Sequence, residues 1–181
     1  MAVTYNTTID QGADWYINFI YKQPAALTNV SGNGTTVTYT TNNSFAIGQT
    51  VSIDGVIPNV YNLQNKTIAN ANPTSFTVTN GATGIYISGG IATVPMDLTG
   101  YTARLQVRSL PSDPDAVLTL TTANGGITIT ALTGFVQVHA TATQTGAIDE
   151  GTYVYDIELV NGSIVTRLAQ GQVVVSPEVT R

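Results

Sequence analysis

The chain has 181 residues, a net charge of −5 and no cysteine, and only 9% of its residues are charged, against about 25% in typical domains. The missing cysteines exclude disulfides and thiolate chemistry, and the six Lys and Arg residues stand singly, which argues against nucleic-acid binding. With 43% apolar residues, 30 threonines and 17 glycines, the composition favours a folded all-β protein over a disordered or helical one.

The first clear predicted strand covers residues 14–22 and follows an arm or short strand in residues 1–12. Polar and apolar side chains alternate along it, as in a half-buried strand. One face carries Trp15, Ile17, Phe19 and Tyr21. Gln23-Pro24 is expected to end this strand.

Residues 27–94 have a different texture, because their only charged residues are Asp54 and Lys66. The pattern predicts short strands at 35–41, 50–54, 65–69, 75–79 and 85–88. Turns are predicted at Asn33-Gly34, Asp54-Gly55 and Asn80-Gly81. We interpret 27–94 as a small β-barrel module inserted into a host domain made of residues 1–26 and 95–181. One continuous sandwich is the alternative.

The host pattern resumes after Pro95 with strands at 101–108, 116–122, 126–132 and 134–143, then a helical turn near 143–148. The last segment, 151–181, reads as a β-hairpin that turns at Asn161-Gly162 and ends at Pro177. Its first strand alternates buried and outward positions, with Tyr153, Tyr155, Ile157 and Leu159 on the apolar face. About seven such host strands at short spacing predict an antiparallel β-sandwich.

No residue is assigned a catalytic, cofactor-binding or metal-binding role. His139 is the only histidine and occupies an outward position, as a solvated sheet residue does. Asp113 and Asp115 flank Pro114, but this spacing lacks the glycine and terminal glutamate of a calcium loop. We therefore interpret both aspartates as turn residues.

Two outward-facing charge pairs stand on different predicted strands. Asp156 and Glu158 lie on one, and Arg104 and Arg108 on the other. If the strands are neighbours, these groups would pair across the sheet, each pair contributing about 0.2–1 kcal/mol. Most of the large aromatic residues fall on apolar faces, which favours core packing over a sugar-stacking platform. They are Trp15, Tyr16, Tyr21, Tyr101, Tyr153 and Tyr155.

The start of the chain has no basic segment followed by an apolar one, and no apolar run reaches the roughly 20 residues that span a bilayer. We therefore expect synthesis in a cytoplasm and no membrane partner. The sparse charge has two interpretations. Either the surfaces are buried in an assembly, or Thr, Asn and Ser make a polar soluble surface.

Several segments resemble a virion module of tailed bacteriophages. The runs are DLTGYTARLQVRS, VLTLTTANGGITIT, GFVQVHATATQTGAIDEGTYVYDIELV and TRLAQGQVVVSPEVTR. They are similar to the N-terminal domain of phage baseplate upper proteins and related tail proteins. The segment from TTVTYTTNNSFAIGQTVSIDGV to NKTIANANPTSFTVT resembles a small β-barrel module of phage structural proteins.

The resemblance implies an immunoglobulin-like β-sandwich that docks onto other virion proteins. Relatives usually continue into a long C-terminal region, whereas this sequence ends at Arg181. The expectation is therefore a non-enzymatic adaptor of the tail, baseplate or fibre-attachment region, located in the virion and forming a homo-oligomer. The alternatives are a capsid decoration protein, a carbohydrate-binding module and a polysaccharide hydrolase. The sequence does not decide which edge strand is used for docking, and residues 14–22 and 173–175 are the two candidates.

Overall fold

The structure, a computed structural model, describes residues 2–179. The fold is all-β and divides into two compact units. Unit 1 consists of Met1–Tyr21 and Asp97–Arg181, and unit 2 of Lys22–Met96. Unit 2 is thus inserted in the chain of unit 1, with junctions a few residues from those predicted. Among the described residues, no helix is long and apolar enough to cross a membrane.

The chain starts in unit 1 with three strands: β1 (Val3–Thr4), β2 (Thr7–Asp10) and β3 (Trp15–Ile20). It then forms unit 2 with seven strands: β4 (Lys22–Ala26), β5 (Asn29–Gly32), β6 (Thr36–Thr40), β7 (Thr50–Ile57), β8 (Leu63–Asn72), β9 (Ser75–Thr79) and β10 (Ser88–Pro95). It returns to unit 1 with β11 (Thr102–Arg108), β12 (Leu118–Thr121), β13 (Ile127–Thr130), β14 (Phe135–Ala140), helix α1 (Ala142–Gly146), β15 (Gly151–Asn161) and β16 (Ile164–Ser176).

Unit 1 is a sandwich of two sheets. The main sheet has the order β1-β16-β15-β11-β12, with β2 also paired to β16, and the small sheet has the order β13-β14-β3. Both β1 and β2 run parallel to β16, so the main sheet is not purely antiparallel. The prediction that residues 173–175 form a free docking edge is therefore wrong, because Val173, Val174 and Val175 pair with β2.

The core of unit 1 lies between the two sheets. Trp15 of the small sheet meets Tyr155 of the main sheet edge to face, with ring centroids 6.4 Å apart. The other core residues follow from the alternation of side chains along each strand, which puts the apolar residues on the face that points into the sandwich. The largest fully buried side chains here are Ile9, Leu98, Leu105, Leu120, Ile157 and Leu159.

The long hairpin closes through a different turn from the one predicted. Asn161 pairs with Ile164, so the two loop residues are Gly162 and Ser163. Gly162 has a φ of 58°, whereas Ser163 does not have a positive φ. This fits a type II′ turn, in which only the first central residue needs positive φ.

Unit 2 is one seven-stranded antiparallel sheet with the order β4-β10-β7-β8-β9-β6-β5. Its two end strands, β4 and β5, are consecutive in the chain but do not pair with each other, so the sheet curls into a half-barrel. The prediction that Gln23-Pro24 ends a strand is wrong, because both residues lie inside β4. The Leu27 N–H donates to the Gly90 carbonyl, so in this register the odd-numbered amides of β4 point towards β10. Pro24 occupies an even-numbered position that points away from β10, where no N–H is needed.

Two glycine-containing segments of unit 2 lie inside strands, and the first of them is predicted as a turn. Asp54-Gly55 belongs to β7, and Gly89-Gly90 belongs to β10 beside it. A Cβ on Gly89 would stand 2.4 Å from the Gly55 carbonyl oxygen, and both glycines have positive φ. The glycines therefore permit close backbone approach within the sheet. The strand predicted at 85–88 is absent, and β10 begins at Ser88.

Unit 2 has its own aromatic core. Phe76 stacks on Tyr39 with centroids 5.2 Å apart and also contacts Phe45. The Tyr39 hydroxyl donates to the Tyr61 carbonyl at 2.8 Å, and the Tyr61 hydroxyl donates to the Gly84 carbonyl at 2.7 Å. These two bonds satisfy both buried hydroxyl groups, as a buried tyrosine requires.

Replacing Phe76 by Ala should lower the free energy of unfolding of unit 2 by about 3–5 kcal/mol, because Phe76 is fully buried and its removal leaves a cavity. The matched control Ile85→Ala removes an apolar side chain that is 86% exposed and should change stability by less than about 0.5 kcal/mol. Hydrogen exchange of peptides from unit 2 measures both effects. Equal effects of the two substitutions would contradict the assigned core.

Candidate functional site

The outer face of the main sheet of unit 1 carries a concavity, which we call the polar hollow. It has a volume of about 950 Å³ and is lined by outward-facing side chains of β11, β15 and β16, by the β1–β2 segment and by Pro111. Its side chains form three rungs across the sheet. These are Arg104–Glu158–Arg167, Gln106–Asp156–Gln170 and Arg108–Val154–Gln172.

A β-bulge places one of these arginines in the hollow. Ile157 pairs with Ala169 but Glu158 pairs with Arg167, so Leu168 is an extra residue. Leu168 and Ala169 are consecutive and both buried. The bulge shifts the alternation by one residue and directs Arg167 to the same face as Gln170. Strict alternation along the sequence would have placed Arg167 on the opposite face.

Two ion pairs cross the floor of the hollow. Arg104 contacts the Glu158 carboxylate at 2.7 Å, which confirms the predicted cross-strand pairing of these two residues. Asp156 pairs with Arg167 instead, at 3.0 Å, and Arg167 also donates to the Gln170 side chain at 3.0 Å. These contacts fix the orientation of the Arg104 and Arg167 guanidinium groups, each of which has more N–H donors than these contacts use.

Arg108 makes no ion pair within the described residues. Its guanidinium donates to the Asp113 main-chain carbonyl and, at 2.9 Å, to the Gln106 side chain. Both acceptors are uncharged, so they orient the guanidinium without neutralising its charge. Arg108 therefore presents an oriented positive charge in the hollow.

Tyr155 lies beneath the hollow with its ring in the core. Its hydroxyl donates to the Tyr5 carbonyl at 2.6 Å, which ties the β1–β2 segment to β15. Burial raises the pKa of the Tyr155 hydroxyl to about 12, and the neighbouring Tyr5 hydroxyl adds to the shift. At neutral pH the group is thus a proton donor that fastens one wall of the hollow.

The second exposed feature of unit 1 is the outer edge of β3. Tyr21 donates its N–H to the Gly134 carbonyl beside β14, which shows that odd-numbered backbone groups of β3 face β14. The N–H and C=O groups of Tyr16, Asn18 and Ile20 therefore face the open side, where no strand of residues 2–179 pairs with them. Tyr16 and Ile20 are also exposed, at 52% and 56%.

The edge of the main sheet at β12 is partly covered by a side chain. Asn124 accepts from the Thr121 N–H at 2.8 Å and donates to the Thr119 carbonyl at 3.0 Å. The Thr122 N–H donates to the Ala103 carbonyl, so the even-numbered backbone groups of β12 point towards β11. The backbone groups of Thr119 and Thr121 therefore point away from β11. The edge of β12 is therefore partly occupied, whereas that of β3 is open.

His139 is less solvated than expected from its outward position. Its ring stacks on Tyr16 with centroids 4.4 Å apart and planes 4° apart, because the two residues are cross-strand partners. The Nε2 atom is buried without a hydrogen-bond partner in the described part of the chain and lies 3.6 Å from the Asp14 carboxylate. The carboxylate of Asp14 also accepts from the Ala142 N–H at 2.8 Å, at the start of α1.

The other predicted residues are not brought together into a reactive cluster. The Asp113 carboxylate accepts from the Leu110 N–H at 2.9 Å, as a turn residue does. Thr99 donates from its hydroxyl and amide to Asp97 and lowers the pKa of that carboxyl. Within residues 2–179, no three His, Asp or Glu side chains are grouped to hold a metal ion.

The aromatic residues do not form an exposed platform. Trp15, Tyr153 and Tyr155 are buried, whereas Tyr16 is exposed but stacked on His139. A sugar-stacking surface needs exposed coplanar rings, so these positions count against the carbohydrate-binding alternative. In unit 2, several exposed apolar side chains occur near the 57–60 and 84–88 segments instead. They are Ile57, Val60, Ile85 and Ile87.

Removing the Tyr155 hydroxyl should change how stability depends on alkaline pH. The unfolded chain ionises this tyrosine near pH 10 and the folded one only near pH 12. The unfolded state therefore loses its proton first, and stability falls between these values. Urea unfolding followed by fluorescence of Trp15, the single tryptophan, should show a shallower fall for Tyr155→Phe. An unchanged slope above pH 10 would contradict the assignment.

No protein-family model matches the sequence, and no curated protein matches it.

Proposed function

We propose that this chain is a non-enzymatic structural protein of a tailed-bacteriophage particle, acting as an adaptor in the tail, baseplate or fibre-attachment region. The proposal follows from the resemblance of its strand segments to virion modules and from the surfaces described above. A decoration protein of the capsid is a variant within the same class. In each case the protein would act by docking its β-sheet surfaces onto neighbouring proteins.

The observation that carries the proposal is the open edge of β3. An exposed edge offers a row of unpaired backbone donors and acceptors to a strand from another chain. Natural proteins usually protect such edges with Lys, Pro or a bulge, but β3 has the sequence WYINFI and contains none of these. A strand added here would pair with Tyr16, Asn18 and Ile20 and would cover their exposed side chains.

The two ion-paired carboxylates of the polar hollow do not favour the hydrolase alternative. Asp156 and Glu158 lie on the same face of one strand, and each is bound to an arginine. Glycoside hydrolysis uses two carboxyl groups on opposite sides of the scissile bond. The geometry of the hollow suits binding better than proton transfer.

The docking edge can be tested with proline. Asn18→Pro removes an N–H that faces the open side and leaves the backbone pairing with β14 in place, although the exposed side-chain hydrogen bond from Gln137 is also lost. The matched control Thr119→Pro removes an outward N–H from β12, the edge that Asn124 occupies. Both variants should fold, as judged by circular dichroism.

The readout is incorporation into particles, measured by quantitative mass spectrometry of tailed particles purified from cells that supply each variant in place of the wild-type protein. We expect the wild type and Thr119→Pro in stoichiometric amounts and a loss of at least about tenfold for Asn18→Pro, because one edge hydrogen bond and the strand register are lost. Absence of the wild-type protein from the particles would overturn the virion proposal. Normal incorporation of Asn18→Pro would overturn the role of β3.

A further inference from the structure

We propose that the polar hollow receives the acidic Asp149-Glu150 turn of a second copy of this chain. The inference rests on the proposed homo-oligomeric adaptor and names the contact that joins its copies. The turn of one protomer would contribute two carboxylates to the hollow of the next. Arg108 would be the principal partner of these carboxylates.

The distribution of charge in unit 1 supports this pairing. Every Lys or Arg among the described residues of unit 1 lines the hollow, namely Arg104, Arg108 and Arg167. Only two carboxylates line it with them, so the hollow carries a local charge of +1 (three minus two) in a chain of net charge −5. The remaining acidic residues of unit 1 do not line the hollow, although Asp113 adjoins it because its main-chain carbonyl accepts from Arg108. They are Asp10, Asp14, Asp97, Asp113, Asp115, Asp149, Glu150 and Glu178.

A second copy is the occupant that this asymmetry fits. The hollow holds every Lys and Arg of the described part of unit 1, whereas eight acidic residues of the same unit are not among its lining residues. Opposite potentials on two surfaces of one chain attract when copies meet, and like potentials elsewhere disfavour other orientations. A contact between two different surfaces is heterologous and generates a ring when the rotation closes.

Among the acidic residues, Asp149 and Glu150 are best placed to enter a neighbour. They are adjacent and exposed, and neither carboxylate accepts a hydrogen bond or forms an ion pair within residues 2–179. The backbone around them is nevertheless anchored. The Tyr153 hydroxyl donates to the Asp149 carbonyl at 2.9 Å, and Gln11 donates to the carbonyl of the buried Ile148 at 2.8 Å. The turn is thus preorganised, which reduces the entropic cost of binding.

The receiving side is preorganised as well. Arg104 is already paired with Glu158 and Arg167 with Asp156. Arg108 instead donates to two uncharged acceptors, the Gln106 side chain and the main-chain carbonyl of Asp113. An incoming carboxylate would give Arg108 its ionic partner without breaking either existing ion pair. The amide groups of Gln170 and Gln172 line the same hollow and can donate to the second carboxylate.

Charge reversal tests the contact. The mass of the full chain is measured by light scattering over a concentration series at low salt, and we expect an oligomer, a multiple of 19.0 kDa. Arg108→Glu and Glu150→Arg should each raise the dissociation constant by about tenfold or more. The double variant should recover the oligomer, because the pair is restored with reversed sign. Salt near 1 M should weaken the wild-type oligomer, since the Debye length then falls to about 3 Å.

Two controls accompany these variants. Glu178→Arg changes the net charge by the same amount as Glu150→Arg at another exposed site and should leave the mass unchanged. Arg108→Gln keeps hydrogen-bonding capacity and should weaken association if Arg108→Glu fails to fold.

A wild type that is monomeric throughout, single variants that keep the wild-type mass, or a double variant that does not recover would each overturn the inference. These outcomes differ from failure of the adaptor proposal, which the particle assay with Asn18→Pro detects separately.

Discussion

The pairing of β15 with β16 is the interaction on which unit 1 depends. The two strands pair over the whole length of β15, and the other side of β16 holds β1 and β2. Because side chains alternate along a strand, this one ladder supplies both an apolar inner face and a polar outer face. Tyr155 and Ile157 fill the core, while Asp156 and Glu158 form the floor of the polar hollow. The sandwich and its candidate binding surface therefore share a single structural cause.

Alternation made much of this predictable from the sequence. The faces of β3, β11 and β15 follow directly from it, and so does the pairing of Arg104 with Glu158. An all-β sandwich with an inserted barrel is likewise indicated by the change of texture between residues 27 and 94. Local pattern is sufficient wherever one face of a strand is buried and the other is solvated.

The remainder depends on contacts that local pattern does not encode. The bulge at Leu168 breaks the alternation, so the sequence does not reveal that Arg167 joins the hollow. The parallel pairing of β1 and β2 with β16 joins residues at opposite ends of the chain. Asp54-Gly55 has the composition of a turn, yet it lies in β7 because Gly89 approaches it from β10. The three cases share a cause, which is tertiary pairing overriding a local preference.

Unit 1 thus presents two surfaces with different physical character. The edge of β3 offers backbone hydrogen bonds flanked by exposed Tyr16 and Ile20, which suits a strand from another protein. The polar hollow offers oriented guanidinium and amide groups, which suit a carboxylate-bearing turn. An adaptor needs one surface for its own copies and another for its neighbour, and these two features can fill those roles without competing. The exposed isoleucines of unit 2 provide an apolar surface of a third kind.

Amide hydrogen exchange at β3 tests the central claim most directly, by comparison of the purified protein with the same protein in assembled particles. The account predicts fast exchange at Tyr16, Asn18 and Ile20 in the purified protein, because these N–H groups face the open edge, and strong protection after assembly. The amides of Ile17 and Phe19, which face β14, should be protected in both states. Equal exchange at Asn18 before and after assembly would contradict the claim that β3 is the docking edge.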